Sequence, residues 1–317
     1  MLHPNASLTC REVFGVAQQL GDVGVELEIE GVHLPSTITG WTPKAENSLR
    51  GEAIEYVTSR AVNLEQLQRR MSVLHKHLTS DNVRVNLSKR ASTHIHVNLQ
   101  QDTFKTFFGF ILLFTLVEPL LLRLCGPMRN GNLFCIPSYE TGELPSAVRR
   151  MVQVMSYSRE RGFYDWPNQR GKYAALNIDA ITTFGSAEVR CFPNTISPDD
   201  VMKWAGWLLN IRQTVRDWPD ETFRSLLDWA TTSPFAMARS IFTNEANLVS
   251  QCHPNTVAEL LSFGREGAYE IFRELRPFLS YVEKEKKKRK KSEEIFQEVV
   301  EADFGGPTWA SVTVVRR

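Results

Sequence analysis

The sequence lacks the features that mark several common classes of protein. Its formal net charge is only +1 over 317 residues, so no overall field attracts nucleic acid or an anionic membrane. Its five cysteines are scattered and none forms a CxxC pair, which indicates neither a disulfide framework nor a zinc ribbon. The first residues, MLHPNASLTCREVFG, have neither the basic start nor the apolar run of a signal peptide. We therefore expect a reducing, cytoplasmic location.

One segment is apolar enough to raise the question of a membrane. Residues 107–124 read FFGFILLFTLVEPLLLRL, which is nearly long enough to span a bilayer. Glu118, Pro119 and Arg123 interrupt this run, and a single carboxylate in lipid is costly. The composition therefore predicts a fully buried helix in a large core, and no membrane partner.

Short alternating segments predict the strands of a sheet. In Val23–Gly31 (VGVELEIEG), apolar residues alternate with Glu26, Glu28 and Glu30. This period of two predicts a strand with one apolar and one acidic face. Similar patterns predict four further strands, the last two joined by a turn at 183–185: Ala53–Ser59, Ser92–Gln100, Lys172–Ile178 and Ser186–Phe192.

Helical periodicity surrounds these strands. Apolar residues recur at helical spacing in residues 61–80, in 145–160 and from 198 to about 279. The fold class predicted is α+β: short strands whose polar faces carry acids and histidines, backed by helices. A doubly wound parallel sheet is disfavoured, because neither of the glycine-rich turns GxGxxG and GxxxxGK[ST] occurs. Any bound nucleotide is therefore expected to be held by something other than a Rossmann turn or a P-loop.

A charge run, Tyr281–Glu294 (YVEKEKKKRKKSEE), lies near the end of the chain. One interpretation is a patch that binds nucleic acid or directs targeting, through the basic residues 284–291. The other is a solvated helix or linker, since Glu283 and Lys287 form a favourable pair four residues apart. The second interpretation is favoured, and the last residues, WASVTVVRR, are expected to add an edge strand or to remain mobile.

Two carboxylates share the polar face of the first predicted strand. Residues two apart on a strand lie roughly 6–7 Å from one another, so Glu26 and Glu28 project side by side. Such a pair repels unless a cation lies between its members. The alternative is an antiparallel strand whose polar face is simply solvated.

Two later strands repeat this spacing with other ionisable residues. His94 and His96 lie on one face of their strand, which favours a metal or phosphate role over a purely structural one. Glu188 and Arg190 form the third pair, and the planar guanidinium of arginine suits phosphate oxygens. The alternative for this pair is a cross-strand salt bridge.

The three pairs together indicate one site. Glu55 adds a fourth acid in a strand context. Oxygen-rich sites with one or two imidazoles suit Mg²⁺ or Mn²⁺ better than zinc or copper. Paired Mg²⁺ ions beside an arginine resemble the equipment of phosphoryl transfer. The predicted metal- and phosphate-handling site comprises Glu26, Glu28, Glu55, His94, His96, Glu188 and Arg190.

Five motifs, in order along the chain, resemble the amidoligase family, whose members are related to glutamine synthetase and glutamate–cysteine ligase. They are GVELEIEG, ENSLRGEAIEYVT, STHIHVN, KYAALN and SAEVRCFPNT, and they cover about residues 22–200. The resemblance implies a glutamine-synthetase-like fold, in which an antiparallel sheet forms an active-site bowl backed by helices. It also implies that residues 1–280 form the catalytic domain, followed by a charged helix or linker and a tail in 281–317.

The resemblance further implies a reaction and roles for residues. The reaction is ATP-dependent joining of a carboxylate to an amine through an acyl phosphate, with Mg²⁺ or Mn²⁺; the substrates are small molecules or peptides, or a macromolecule. Arg190 is expected to grip the transferred phosphate. The metal ligands implied are Glu26, Glu28 and Glu55, with Glu188 and His94 or His96 at a second ion. The catalytic residues implied are Glu28, Glu55, Glu188 and Arg190.

The remaining matches concern the nucleotide and the substrate. Arg129 and Lys172, with Arg190 and His94, are expected to bind the nucleotide and its phosphates, and Tyr173 and Asn177 to line the substrate side. The sequence departs from the family pattern where Lys172 replaces the commoner arginine, and at Glu46, where an aspartate is more usual. These departures affect the phosphate and substrate contacts rather than the metal ligands.

Three other functions use the same residues. A phosphotransferase on this fold yields a stable phosphorylated product and no amide. A metal-dependent hydrolase turns over without nucleotide. A non-catalytic binding or structural protein retains the fold alone, although the complete set of acids, histidines and arginine argues against that interpretation.

Overall fold

A computed structural model describes residues 8–49, 51–127, 129, 135–154, 174–219, 223–242 and 252–303. The strands are β1 (Val23–Val32), β2 (Trp41–Ala45), β3 (Ala53–Thr58), β4 (Arg84–Asn86), β5 (Ser92–Asn98), β6 (Leu176–Asn177) and β7 (Ser186–Pro193). The helices are α1 (Cys10–Phe14), α2 (Leu64–Leu78), α3 (Phe104–Leu124), α4 (Glu143–Val154), α5 (Ala180–Phe184), α6 (Pro198–Arg216), α7 (Arg224–Thr232), α8 (Pro234–Ile241) and α9 (Pro254–Asp303).

The strands form one open, seven-stranded sheet in the order β2-β3-β1-β5-β7-β6, with β4 paired to the far end of β1. Every pairing between these described strands is antiparallel. The mixed class with an antiparallel sheet is therefore confirmed. The strands predicted at residues 23, 53, 92 and 186 begin at those residues in the structure.

Alternation in β1 decides which face of the sheet is covered. Val23, Val25, Leu27 and Ile29 are completely buried on the apolar face. Helix α6 packs on the neighbouring strand β5, and α3 and α2 pack on α6. Because successive side chains alternate across a strand, the glutamates of β1 must lie on the other face. The helices therefore leave the polar face available for a site.

Four parts of the sheet differ from the sequence prediction. In the described part of the strand predicted at Lys172–Ile178, β6 covers only Leu176–Asn177. Strand β2 was not predicted, because Pro43 interrupts its alternation; the edge position of β2 tolerates a proline, which cannot donate a ladder hydrogen bond. The three-residue strand β4 is too short for a periodic signal. Where a turn was predicted at 183–185, helix α5 ends at Phe184. The next residue, Gly185, has the left-handed conformation that often terminates a helix.

Helix α3 is the apolar helix predicted from composition. It is long and apolar enough to cross a membrane, but 89% of its most apolar window is buried inside the protein. Helix α9 packs closely along it: a Cβ atom at Gly264 would lie only 2.0 Å from the Leu116 carbonyl oxygen. The expectation that this segment forms a buried core helix is confirmed.

Helix α9 continues through the charge run. The domain boundary expected near residue 280 falls inside this helix, which extends to Asp303. Lys287, Lys290 and Lys291 are exposed to solvent. The edge strand considered for WASVTVVRR lies outside the described residues, as does the end of the helix predicted at 145–160.

Candidate metal centre

Strand register brings the predicted ionisable residues into one band across the sheet. Glu26 on β1 pairs with His94 on β5, and His96 pairs with Glu188 on β7. On the other side of β1, Glu28 pairs with Glu55 on β3. Directly opposed residues in antiparallel strands have Cβ atoms only about 4.5–5.5 Å apart. The four central strands therefore build a single site.

His94 lies at the centre of this band and is only 2% exposed. Its Nδ1 atom is 3.2 Å from Glu26 Oε2 and 3.4 Å from Glu188 Oε1. Its Nε2 atom, on the other side of the ring, is 3.6 Å from Glu28 Oε1. The imidazole thus separates two sets of carboxylates.

Two groups of side chains have the composition and spacing of a metal site. They are Glu26, His94 and Glu188, and Glu28, Glu55 and His94, with the ligand atoms of each group within 4.8 Å of one another. Oxygen-rich donors of this kind fit Mg²⁺ or Mn²⁺. A neutral imidazole has a free lone pair on only one nitrogen. If His94 Nδ1 ligates an ion with Glu26 and Glu188, the Nε2–H donates to the Ser92 hydroxyl oxygen 2.7 Å away. If Nε2 is the ligand, the Nδ1–H donates to Glu26.

Neighbouring polar groups orient the carboxylates. Ser92 donates to Glu28 Oε2 through its hydroxyl at 2.7 Å and its amide at 2.8 Å. Asn177, which was expected to line the substrate side, donates to Glu188 Oε2 at 2.7 Å. Sequence reasoning missed Ser92, although it shares the polar face of His94 two residues away. Such hydrogen bonds aim each carboxylate at a fixed point.

The positively charged side chains around His94 lower the pKa of the neighbouring acids. Burial alone raises the pKa of Glu26, but hydrogen bonds from His94 and His96 outweigh it and hold that pKa below its usual value. Burial likewise raises the pKa of Glu188, and the charges of His94 and Arg190 reverse the effect. Burial lowers the pKa of His96, and its contact with Glu26 more than compensates, so it ends above the ordinary value.

Glu55 behaves differently from the other acids. Burial, followed by repulsion from Glu26, raises its pKa to about 7, and Lys44 opposes this shift. The Lys44 Nζ atom lies 3.5 Å from Glu55 Oε2. No sequence signal indicated Lys44, because β2 itself was not predicted. The excess of acids over cations at this end of the band is the situation that a bound cation relieves.

Arg190 lies beside the site, in an irregular part of β7. Thr93 pairs with Phe192 and Ile95 with Val189, so two residues of β7 lie opposite the single residue His94. Such a bulge bends a strand and redirects its side chains. The Arg190 Nη1 atom donates to Glu188 Oε1. Its Nε atom is buried and has no hydrogen-bond partner in the described part of the chain.

Arg129, which was expected to bind phosphate or substrate, is 1% exposed and contacts the backbone of β7. Its Nη2 atom donates to the Arg190 carbonyl oxygen at 2.8 Å. Its Nε and Nη1 atoms have no partner among the described residues. Lys172 and Tyr173 lie outside the described residues.

A cavity of about 430 Å³ adjoins the band, and Glu26 and His96 form part of its lining. Its lining also includes Gly24, Val57 and Phe184. The size falls within the range of small-molecule sites, about 300–1,000 Å³. The polar face therefore combines a candidate ion site with an adjoining space for an organic molecule.

Comparison with known proteins adds nothing to this description: no model of a known protein family matches the chain, and a search of curated proteins finds no match.

Proposed function

We propose that this protein is an ATP- and Mg²⁺-dependent ligase that joins a carboxylate to an amine. The observation that carries the proposal is the pair of ligand groups that meet at His94, with Arg190 beside Glu188. Two ion sites next to a guanidinium suit the transfer of a phosphoryl group, where catalysis is positioning and charge neutralisation. The order of the five sequence motifs supports the same reaction.

The donor set fits the proposed ions. Four carboxylates and one imidazole supply oxygen and nitrogen ligands that suit Mg²⁺ and Mn²⁺, and no cysteine is among them. Glu26 and Glu188 would hold one ion, and Glu28 and Glu55 the other. Ser92 and Asn177 would keep the ligand oxygens aimed at the ions.

The chemistry requires activation because a carboxylate oxygen is a poor leaving group at neutral pH. Bound Mg²⁺-ATP would supply the phosphoryl group that makes it a good one. Arg190 would donate from its planar fork to phosphate oxygens as negative charge develops. Its buried Nε atom, without a partner among the described residues, is a donor available for this purpose. A nearby carboxylate would accept the proton that the amine loses.

The finer features of the fold and setting belong to the same proposal. A glutamine-synthetase-like bowl is consistent with an antiparallel sheet that carries its acids on one face and its helices on the other. We also propose a cytoplasmic location, where ATP is supplied, and substrates that are small molecules, peptides or the ends of larger chains.

The test measures ADP release from Mg²⁺-ATP by purified protein, with pairs drawn from amino acids, short peptides and polyamines. ADP that requires both a carboxylate and an amine, together with an amide product, is the expected result. Glu28→Gln should abolish it, whereas Glu30→Gln should not, because Glu30 shares the strand and face of Glu28 but belongs to neither ligand group.

Other outcomes would replace the proposal. Turnover without nucleotide would indicate a metal-dependent hydrolase, and a stable phosphorylated product without amide a phosphotransferase. Calorimetry that finds no nucleotide binding in the presence of Mg²⁺ would indicate a non-catalytic protein that retains the fold.

A further inference from the structure

The cavity beside the candidate metal ligands lies next to a position on the polar face of β1 that has no side chain. Positions 24, 26, 28 and 30 share that face, and only Gly24 has no side chain. Gly24 pairs with His96 across the sheet and lines the cavity. A Cβ atom there would lie 3.6 Å from both His96 Cβ and Thr58 Oγ1, an ordinary contact. Neither the backbone conformation nor close packing therefore requires this glycine, and a longer side chain at position 24 would extend into the cavity.

The walls of the cavity combine apolar surface with two cations, Arg60 and Lys44, of which Lys44 is paired with Glu55. Ala17, Ala61 and Val57 contribute aliphatic surface. Phe184, although aromatic, is 58% exposed, and its ring stands edge-on to the His96 imidazole with centroids 5.9 Å apart. Arg60 lines the rim and forms no hydrogen bond or ion pair with a described residue. Exposed apolar groups around a concave site are typical of ligand binding.

Gln100 holds one wall in place. Its Nε2 atom donates to the carbonyl oxygens of Ala17 and Phe184, both at 2.9 Å, and its Oε1 atom accepts from the Gln19 amide at 2.8 Å. The side chain is completely buried. A Cβ atom at Gly185 would lie 2.3 Å from Gln100 Cγ, so the packing around this amide is tight. Residues that line the cavity are thus fixed before any ligand arrives.

We infer that this cavity binds the carboxylate substrate, as a small organic acid with an apolar body, and that Gly24 determines how large that body can be. The inference rests on the proposed function. Glu26 lines the cavity and also belongs to a ligand group, so a molecule that fills the cavity reaches the ion site. Its apolar body lies over Gly24 and against Phe184. The positive charge of Arg60 favours an anion over an amine.

The experiment uses 4-fluorophenylacetate as the probe, followed by fluorine NMR in the presence of Mg²⁺, with 4-fluorophenethylamine as the amine counterpart. We expect the acid to bind the wild-type protein. Gly24→Leu should weaken binding about tenfold or more, because its side chain occupies the cavity. Phe184→Ala should weaken it about fivefold through the loss of one aromatic contact. Phe263→Ala, which removes a similarly exposed ring on α9, should have no effect.

Two further variants define the class of ligand and the size limit. Arg60→Gln should weaken binding of the acid and leave that of the amine unchanged. Gly24→Ala should give an intermediate loss, and it serves in place of Gly24→Leu if the larger residue prevents folding. Replacement of Mg²⁺ by Mn²⁺ should broaden the signal of the bound acid, because the paramagnetic ion lies next to the cavity.

The inference and the proposed function can fail separately. Equal binding of the acid to wild type and Gly24→Leu, no binding to a wild-type protein that binds Mn²⁺, or tighter binding of the amine would each overturn the inference. Absence of Mn²⁺ binding by the wild type would overturn the proposed function, while the response to Gly24→Leu would still decide whether the cavity is the binding site. Gly24→Leu should retain Mn²⁺ affinity, which shows that the ion site is intact.

Discussion

Glu28 on β1 lies directly opposite Glu55 on β3 in the antiparallel sheet. Like charges in this position destabilise a strand pair. The two residues are separated in the sequence by β2 and the loops on either side of it, so only the sheet brings them together. His94 completes their group with a ring nitrogen. A divalent cation among these three side chains would turn repulsion into attraction, and its binding should therefore stabilise the fold.

The first prediction concerns this linkage between ion and stability. At about one hundred times its dissociation constant, Mg²⁺ or Mn²⁺ should raise the free energy of unfolding by about 2.7 kcal/mol. Thermal unfolding with and without the ion measures the effect. Glu28→Gln should abolish it and Glu30→Gln should preserve it. An equal rise in both variants would show that the ion binds elsewhere.

The second prediction concerns the different roles of His94 and His96 in ion binding. His94 belongs to both ligand groups, whereas His96 belongs to neither and instead contacts Glu26 Oε1 at 3.3 Å and the Ser186 hydroxyl at 3.1 Å. His96→Gln should reduce Mn²⁺ affinity about tenfold, as expected for a residue that orients a ligand. His94→Gln should reduce it further. Electron paramagnetic resonance of free Mn²⁺ provides the measurement, and the reverse order would contradict the assignment.

The third prediction concerns Arg190. Because Arg190 is proposed to donate to a phosphate rather than to hold an ion, Arg190→Gln should lower the rate of ADP formation about one hundred- to one thousandfold. Mn²⁺ affinity should fall by no more than about tenfold, through the lost contact with Glu188. Arg190→Lys should recover part of the rate, since lysine keeps the charge but not the planar fork. If Arg190→Gln abolishes Mn²⁺ binding, its role is structural.

The fourth prediction concerns Glu118, which lies in α3 far from the polar face. Both of its oxygens accept from the Ser138 amide, at 2.9 and 3.0 Å, and the residue is completely buried. Burial raises its pKa to about 8, against hydrogen bonds that lower it. The folded protein therefore holds a proton that the unfolded chain releases above pH about 4.5.

This proton gives the stability a definite dependence on pH. Where only the folded state is protonated, the free energy of unfolding falls as pH rises, by at most about 1.4 kcal/mol per unit. The contribution is complete below about pH 4.5 and is lost towards pH 8. Glu118→Gln stays neutral and should flatten the profile between these limits in urea unfolding. Parallel profiles for the two proteins would mean that Glu118 is ionised when folded.

The fifth prediction concerns the cysteines. All five are free and buried. Burial raises the pKa of Cys135 to about 11 and that of Cys10 and Cys191 well above the ordinary value. Because the thiolate is the reactive form, the native protein should react slowly with a thiol reagent at pH 8, and the protein in denaturant should react at all five positions. Fast labelling of the native protein would contradict the burial of these thiols.

Local patterns were sufficient for much of the sheet. The alternation in β1 and β5 depends only on neighbouring residues, so the sequence predicted both strands and the faces that carry Glu26 and His94. The strands without such a pattern were missed, since Pro43 breaks the alternation of β2 and β4 has only three residues. With β2 missed, Lys44 was missed as well, although it pairs with Glu55 across the sheet.

The sequence by itself determined that acids, histidines and an arginine lie on the polar faces of strands, and that the apolar run of α3 belongs in the core. The tertiary structure alone decided which of them meet. Strand order and register place Glu26 beside His94 and Glu28 opposite Glu55. It also decided that Gly24 lines a cavity and that Gln100 holds its wall. These relationships join segments distant in the chain, and pairing between distant strands leaves no local periodic signal.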